Sequence, residues 1–73
     1  MKIYVYSKDG KVFWVSREAS DCYMQAWYDF EERYDWQNEY EYQETEGEAF
    51  TEFCNDITTG VFDGEFEVTE WKI

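Results

Sequence analysis

Hydrophobic and polar positions alternate along residues 2–7, KIYVYS, with Ile3 and Val5 on one side and Tyr4 and Tyr6 on the other, the pattern of a strand. Asp9-Gly10 follows, and an Asp-Gly pair predicts a two-residue hairpin turn because both central residues of a type I′ turn need φ > 0. KVFWVS then returns as a second strand, β-branched and aromatic throughout. Both faces of this hairpin carry apolar or aromatic side chains, so one face is expected to pack on helices and the other to be partly covered or open.

From Ser16 the period changes. Ala19, Tyr23, Ala26, Trp27, Phe30 and Tyr34 recur at three- and four-residue steps with Cys22 beside them, which predicts an amphipathic helix running to about Tyr34 or Asp35. Ser16 or Ser20 is the expected cap. The far side of that helix carries Asp21, Gln25, Tyr28, Asp29, Glu32 and Asp35, an acidic face with one tyrosine set in it. In the segment from Trp36 to Thr45, Glu39-Tyr40-Glu41-Tyr42-Gln43 alternates again and predicts a short edge strand or extended loop. Thr45-Glu46-Gly47-Glu48 matches the capping box, and Phe50, Phe53, Cys54 and Ile57 continue at helical spacing, so a second helix ends near Thr59 with Gly60 as its left-handed terminator. Asp63-Gly64 is a second turn signal before the closing strand pattern of residues 65–73. There Phe66 and Val68 share one parity and Trp71 and Ile73 the other, which requires either a bulge near Thr69 or two partly buried faces.

These elements describe a single α+β domain over residues 1–73, with a small antiparallel sheet packed against two helices in the order β-β-α-(β)-α-β. At 73 residues the chain is near the lower size at which one core holds a fold unaided. Its seventeen aromatic residues, four Trp, seven Tyr and six Phe, are the apolar material available for that core. A domain of this length buries only about 60% of its unfolded surface, so some rings must be exposed or lie at an interface.

Charge sharpens the picture. The net charge is −12, and it is unevenly distributed. Lys2, Lys8, Lys11 and Arg17 face only Asp9 in the first hairpin region, whereas residues 18–71 hold seventeen acids against Arg33 alone. The stretch from Asp29 to Glu52 contains ten carboxylates with aromatic rings threaded through them. Such a field repels nucleic acid and anionic membranes and attracts basic surfaces. No apolar run approaches the roughly 20 residues of a membrane span, and residues 1–10 lead straight into a strand pattern, so a cytoplasmic location is the expectation. Cys22 and Cys54 both fall on apolar helix faces and are expected to be buried free thiols rather than a disulfide.

The catalytic inventory is poor. The chain has no histidine, no phosphate-binding glycine loop and no nucleophile–base signature, and a domain this small has little room for the cleft that paired carboxylates need. The EF-hand pattern is absent, and no metal or other cofactor is expected. The sequence therefore points to a non-enzymatic binding protein. Asp29, Glu32, Asp35, Glu39, Glu41, Glu44, Glu46 and Glu48 are the candidate charges, and Tyr28, Trp36, Tyr40 and Tyr42 the candidate anchors.

In size, charge and composition the whole chain resembles the small acidic proteins that bacteriophages use against host defences, including anti-CRISPR proteins and DNA mimics, and DFEERYDWQNEYEYQETEGE is similar to their acidic, Tyr-rich surfaces. That resemblance implies occupation of the Lys- and Arg-rich nucleic-acid site of a basic nucleic-acid-binding protein such as a CRISPR effector, in the cytoplasm of the host cell. The alternative is a structural or homo-oligomer-forming domain, a homodimer built on exposed rings, whose acids only confer solubility.

Overall fold

The computed structural model describes all 73 residues, Met1–Ile73. In chain order the elements are β1 (Lys2–Lys8), β2 (Lys11–Ser16), α1 (Ala19–Arg33), α2 (Trp36–Glu39), α3 (Glu46–Thr59) and β3 (Phe66–Lys72). The fold is α+β: β1 lies at the centre of a three-stranded antiparallel sheet of order β2-β1-β3, with helices packed against it.

The two ends of the chain meet in this sheet. Lys2 pairs with Lys72 and Lys8 with Phe66, and beyond the last pair the Met1 ammonium donates to the Ile73 carbonyl at 2.8 Å. The β1–β2 hairpin turns at Asp9 (φ 53°) and Gly10 (φ 83°), both in the left-handed region that the Asp-Gly signal requires. One irregularity interrupts the β1–β2 ladder between Tyr6 and Ser7: Tyr6 pairs with Trp14 and Ser7 with Val12, leaving Phe13 as the extra residue. The Phe13 ring lies 6.5 Å from that of Tyr6 and carries the Lys8 ammonium 4.2 Å above it.

The core is largely a stack of rings between the sheet and the helices. Ten buried residues form one cluster, among them Tyr6, Trp27, Phe30, Tyr40, Phe53 and Phe66; Val5 is equally buried yet is not a member, because it points to the opposite side of β1. Tyr4, Tyr6, Phe66 and Val68 face the helices, while Ile3, Val5 and Trp71 face away. The β1–β3 register runs without a break, so the change of parity between Val68 and Trp71 reflects a strand with apolar residues on both faces and not a bulge at Thr69.

Three local expectations need correction. The segment 39–43 is not a strand. Asp35 caps a single helical turn by accepting the Gln37 N–H at 3.0 Å, and Tyr40 then turns inward, which breaks the alternation. The α1 cap is neither Ser16 nor Ser20: Glu18 occupies that position without a side-chain bond, Ser16 closes β2, and Ser20 already lies in the first turn. Ser16 Oγ instead accepts the Glu18 N–H at 3.1 Å and donates to Asp21 at 2.7 Å, tying the strand end to the helix. Finally, α1 ends at Arg33, where the Tyr34 N–H caps the Phe30 carbonyl. The start and end of α3 follow the expectation. Thr45 Oγ1 accepts from the Glu48 N–H and donates to its carboxylate, and Gly60 (φ 80°) stops the helix in the left-handed region.

Both cysteines are free; Cys22 is buried as expected, whereas Cys54 is only partly buried. Burial pushes the Cys54 thiol up to about 11, and burial together with the Asp21 charge raises Cys22, so both are protonated and unreactive at neutral pH. No helix is long and apolar enough to cross a membrane.

Candidate functional site

Tyrosine hydroxyls donate hydrogen bonds to several carboxylates in a chain that has few bases to pair with them. Tyr6 donates to Asp29 at 2.8 Å, Tyr34 to Glu65 at 2.7 Å, Tyr40 to Asp56 at 2.8 Å and Tyr4 to Glu70 at 3.2 Å. Each ring lies wholly or partly in the apolar core and carries its polar end out to an acid at the rim, so no buried side-chain polar atom is left without a partner.

The bases are also consumed locally. Arg33 bridges Asp9 at 2.6 Å and Glu65 at 3.0 Å, and these two carboxylates hold its pKa above the ordinary value; Lys8 sits 3.5 Å from Asp29, and Lys2 3.6 Å from Glu70. All four ion pairs involve residues of the sheet, of its adjoining turns or of α1. With four of the eighteen carboxylates paired in this way, fourteen have no basic partner within 4 Å. From Asp35 to Asp63 there is no ion pair at all.

That unneutralised region is assembled from three elements. The end of α1 supplies Glu31 and Glu32, and with Arg33, Tyr34, Asp35 and Trp36 these line a shallow concavity. The end of α2 exposes Glu39, and the turn after it exposes Glu41 and Glu44. The first turn of α3 adds Glu46 and Glu48, favoured there by the positive end of the helix dipole. Trp27 Nε1 donates to Glu46 at 3.3 Å and so fixes the start of α3 against α1. Desolvation, with the Glu46 charge as a second cause, raises the Glu31 pKa above its usual value, an electrostatic mark of the two rows lying side by side.

The predicted charges divide accordingly. Glu32, Glu39, Glu41 and Glu44 are exposed, while Asp35 and Glu48 are exposed but also cap α2 and α3. Asp29 is a correction: it is half-buried and holds the Tyr6 hydroxyl and the Lys8 ammonium, because it lies on the side of α1 that overhangs the hairpin. Among the rings, Tyr28 and Tyr42 are exposed, at 52% and 64%. Trp36 is half-buried against the core. Tyr40 is a second correction, since it is 5% exposed and belongs to the core. The ring cluster around Phe30 and the Asp56 acceptor draw it inward.

Two carboxylates of the surface, Glu52 and Asp56, are absent from the predicted set. With Glu48 they fall at i, i+4 and i+8 on one face of α3, a spacing visible in the sequence. They flank Tyr42: desolvation raises the Tyr42 pKa first, and the charges of Glu52 and Asp56 raise it further. Glu31 is also absent from the set, and its nearness to Glu46 is a tertiary fact with no sequence signal.

Two predictions belong to this geometry. Replacing Tyr40→Phe leaves the Asp56 carboxylate without its donor and lowers stability by about 1–3 kcal/mol in urea unfolding, with the acidic surface otherwise intact. Replacing Glu31→Gln raises Tm at pH 7. A carboxyl whose folded pKa is raised opposes folding above that pKa, and the penalty disappears as pH falls through the folded value toward the unfolded one near 4.5. The gain therefore shrinks to nothing by about pH 4, and a melt series between pH 4 and 7 reads it directly.

No group of three or more His, Cys, Asp or Glu side chains is arranged to hold a metal ion. The concavities on the surface are shallow, and the one nearest to Tyr28 has an apolar floor of Met24, Trp27 and Phe50 with Glu46 on its rim. Set against known protein families, curated proteins and solved structures, the chain matches none.

Proposed function

We propose that this chain is a non-enzymatic binding protein that inhibits a nucleic-acid-handling protein by occupying its basic nucleic-acid site, as a phage anti-CRISPR protein or another anti-defence DNA mimic would. The observation that carries this reading is the set of carboxylates from Glu31 to Asp56 that have no ion-pair partner; the one base in that span, Arg33, is held by Asp9 and Glu65, and none follows it before Lys72. Solubility alone is served by acids and bases interspersed, which is not how this surface is built.

Charge spacing supports the same reading. Carboxylates at i and i+4 along α3, Glu48, Glu52 and Asp56, repeat at about 6 Å of helix axis, whereas one phosphate strand presents a charge every ~3.4 Å. A single row is about half as dense as a strand, so a second row beside it is needed, and Glu31, Glu32 and the 39–44 turn supply carboxylates for it. Tyr28 and Tyr42 add exposed rings on which the arginines of a nucleic-acid channel can stack, as they do on bases.

The test is capture of proteins from a bacterial lysate on the immobilised chain, with and without excess duplex DNA or guide-like RNA. Retention of a basic nucleic-acid-binding protein that the competitor releases is the expected result. Retention of nothing, or of a partner indifferent to nucleic acid, overturns the reading.

A further inference from the structure

The side of the sheet turned away from the helices has no covering layer. It presents Ile3 and Val5 from β1, Val12 and Val15 from β2, and Thr69 and Trp71 from β3, with Met1 and Ile73 at one end. Val12, Val15 and Trp71 are 60%, 54% and 56% exposed, so Val5, already buried at the centre, lies in the middle of an open apolar strip. On the strands, Glu67, beside Ser7 at the turn end, is the one carboxylate directed to this side. A chain with eighteen acids has kept all but Glu67 off the strand positions of this face.

We propose that this face is the interface of a two-fold homodimer in which the two sheets stack on each other. Area is the first argument. The five large apolar residues exposed here, Met1, Val12, Val15, Trp71 and Ile73, present on the order of 600 Å², so two copies can bury at most about 1,200 Å² in total from them, against the roughly 1,000 Å² that a specific interface needs. Shape is the second. A closed two-fold requires a patch that fits itself, and flat apolar sheet faces pack about 10 Å apart with their side chains interleaved.

Charge selects a second copy over other occupants. Two chains of net charge −12 repel wherever their helical sides approach, but sheet-on-sheet stacking leaves α1 and α3 of each copy on the outside. The acidic layers are then separated by two sheets, far beyond the screening length of about 8 Å at physiological salt. A basic partner, by contrast, is drawn to the helical side and meets only the Glu67 carboxylate, at the turn end, here. The dimer does not depend on the identity of any partner of the acidic surface, and it presents two such surfaces outward.

Sedimentation of the intact chain from roughly 1 to 100 µM at about 0.15 M salt tests this. The expected result is a dimer that persists or strengthens at higher salt, since its interface is apolar and its charges are remote. Trp71→Glu and Val15→Lys should each weaken association at least about 100-fold by burying an unpaired charge. Both positions are exposed in the single chain, so far-UV circular dichroism should be unchanged, and the unmodified chain decides the matter if either variant misfolds. A monomer throughout the range overturns the proposal. So does a dimer that survives Trp71→Glu, because pairing through the free edge of β2 would not involve β3.

Discussion

On the proposed reading, reversing Glu39, Glu41 and Glu44 to lysine should abolish retention of a basic nucleic-acid-binding protein while leaving the fold at least as stable as before. These three carboxylates are exposed and make no hydrogen bond or ion pair within the chain, so the substitution removes no internal interaction. Each replacement changes the local charge by two, and against a lysine- and arginine-rich site like-charge contacts cost several kcal/mol in total. At about 1.4 kcal/mol per factor of ten, affinity for the basic partner should fall by roughly 100- to 1,000-fold. Thermal stability should hold or rise, because a chain of net charge −12 is destabilised by self-repulsion. Glu18→Lys, at the start of α1 and outside this surface, is the control and should change affinity only slightly. Unchanged affinity in the triple variant would remove this surface from the binding site. Reversal of Asp29 would not make the same test. A lysine there would face Lys8 and strand the Tyr6 hydroxyl, so lost binding could reflect lost structure.

The second large effect concerns the core. Phe30, 1% exposed, has ring centroids of Trp27, Tyr34, Tyr40, Phe53, Phe62 and Phe66 within 4.9–6.1 Å of its own. It joins α1 to α3, to β3 and, through Tyr40, to the turn that presents Glu41 and Glu44. Phe30→Ala removes the centre of that stack and should cost about 3–5 kcal/mol. A domain of this length has a total stability of roughly 4–11 kcal/mol, so the variant should be largely unfolded or melt far below the parent. Phe30→Leu, which keeps most of the volume, should lose much less. Urea titration followed by circular dichroism reads both, and a loss below about 1 kcal/mol for Phe30→Ala would mean that the ring cluster is not the principal core.

How far the chain could be read without its structure depends on the range of the interaction concerned. The hairpin turn at Asp9-Gly10, the Thr45–Glu48 capping box and the Gly60 terminator are local. Each is set by residues no more than three or four apart, and each stands where the sequence predicts it. The 39–43 segment fails for the opposite reason. Its alternation is a two-residue period, but the core cluster recruits Tyr40 and leaves Tyr42 outside, and that choice depends on Phe30 and Asp56, which are distant in the chain.

The same division runs through the candidate surface. The sequence by itself determined that the chain would be acidic over residues 18–71, that Glu48 and its neighbours at four-residue steps would share a helix face, and that the two long helices and three strands would follow in this order, because composition and periodicity are local properties. Only the tertiary structure decided which acids are free. It placed Arg33 between Asp9 and Glu65, set Asp29 under Tyr6 and Lys8, brought Glu31 beside Glu46, and left the outer face of the sheet bare. Those outcomes follow from which elements pack together when a small core closes around its rings, and pairing across fifteen or more residues of chain leaves no mark in local sequence pattern.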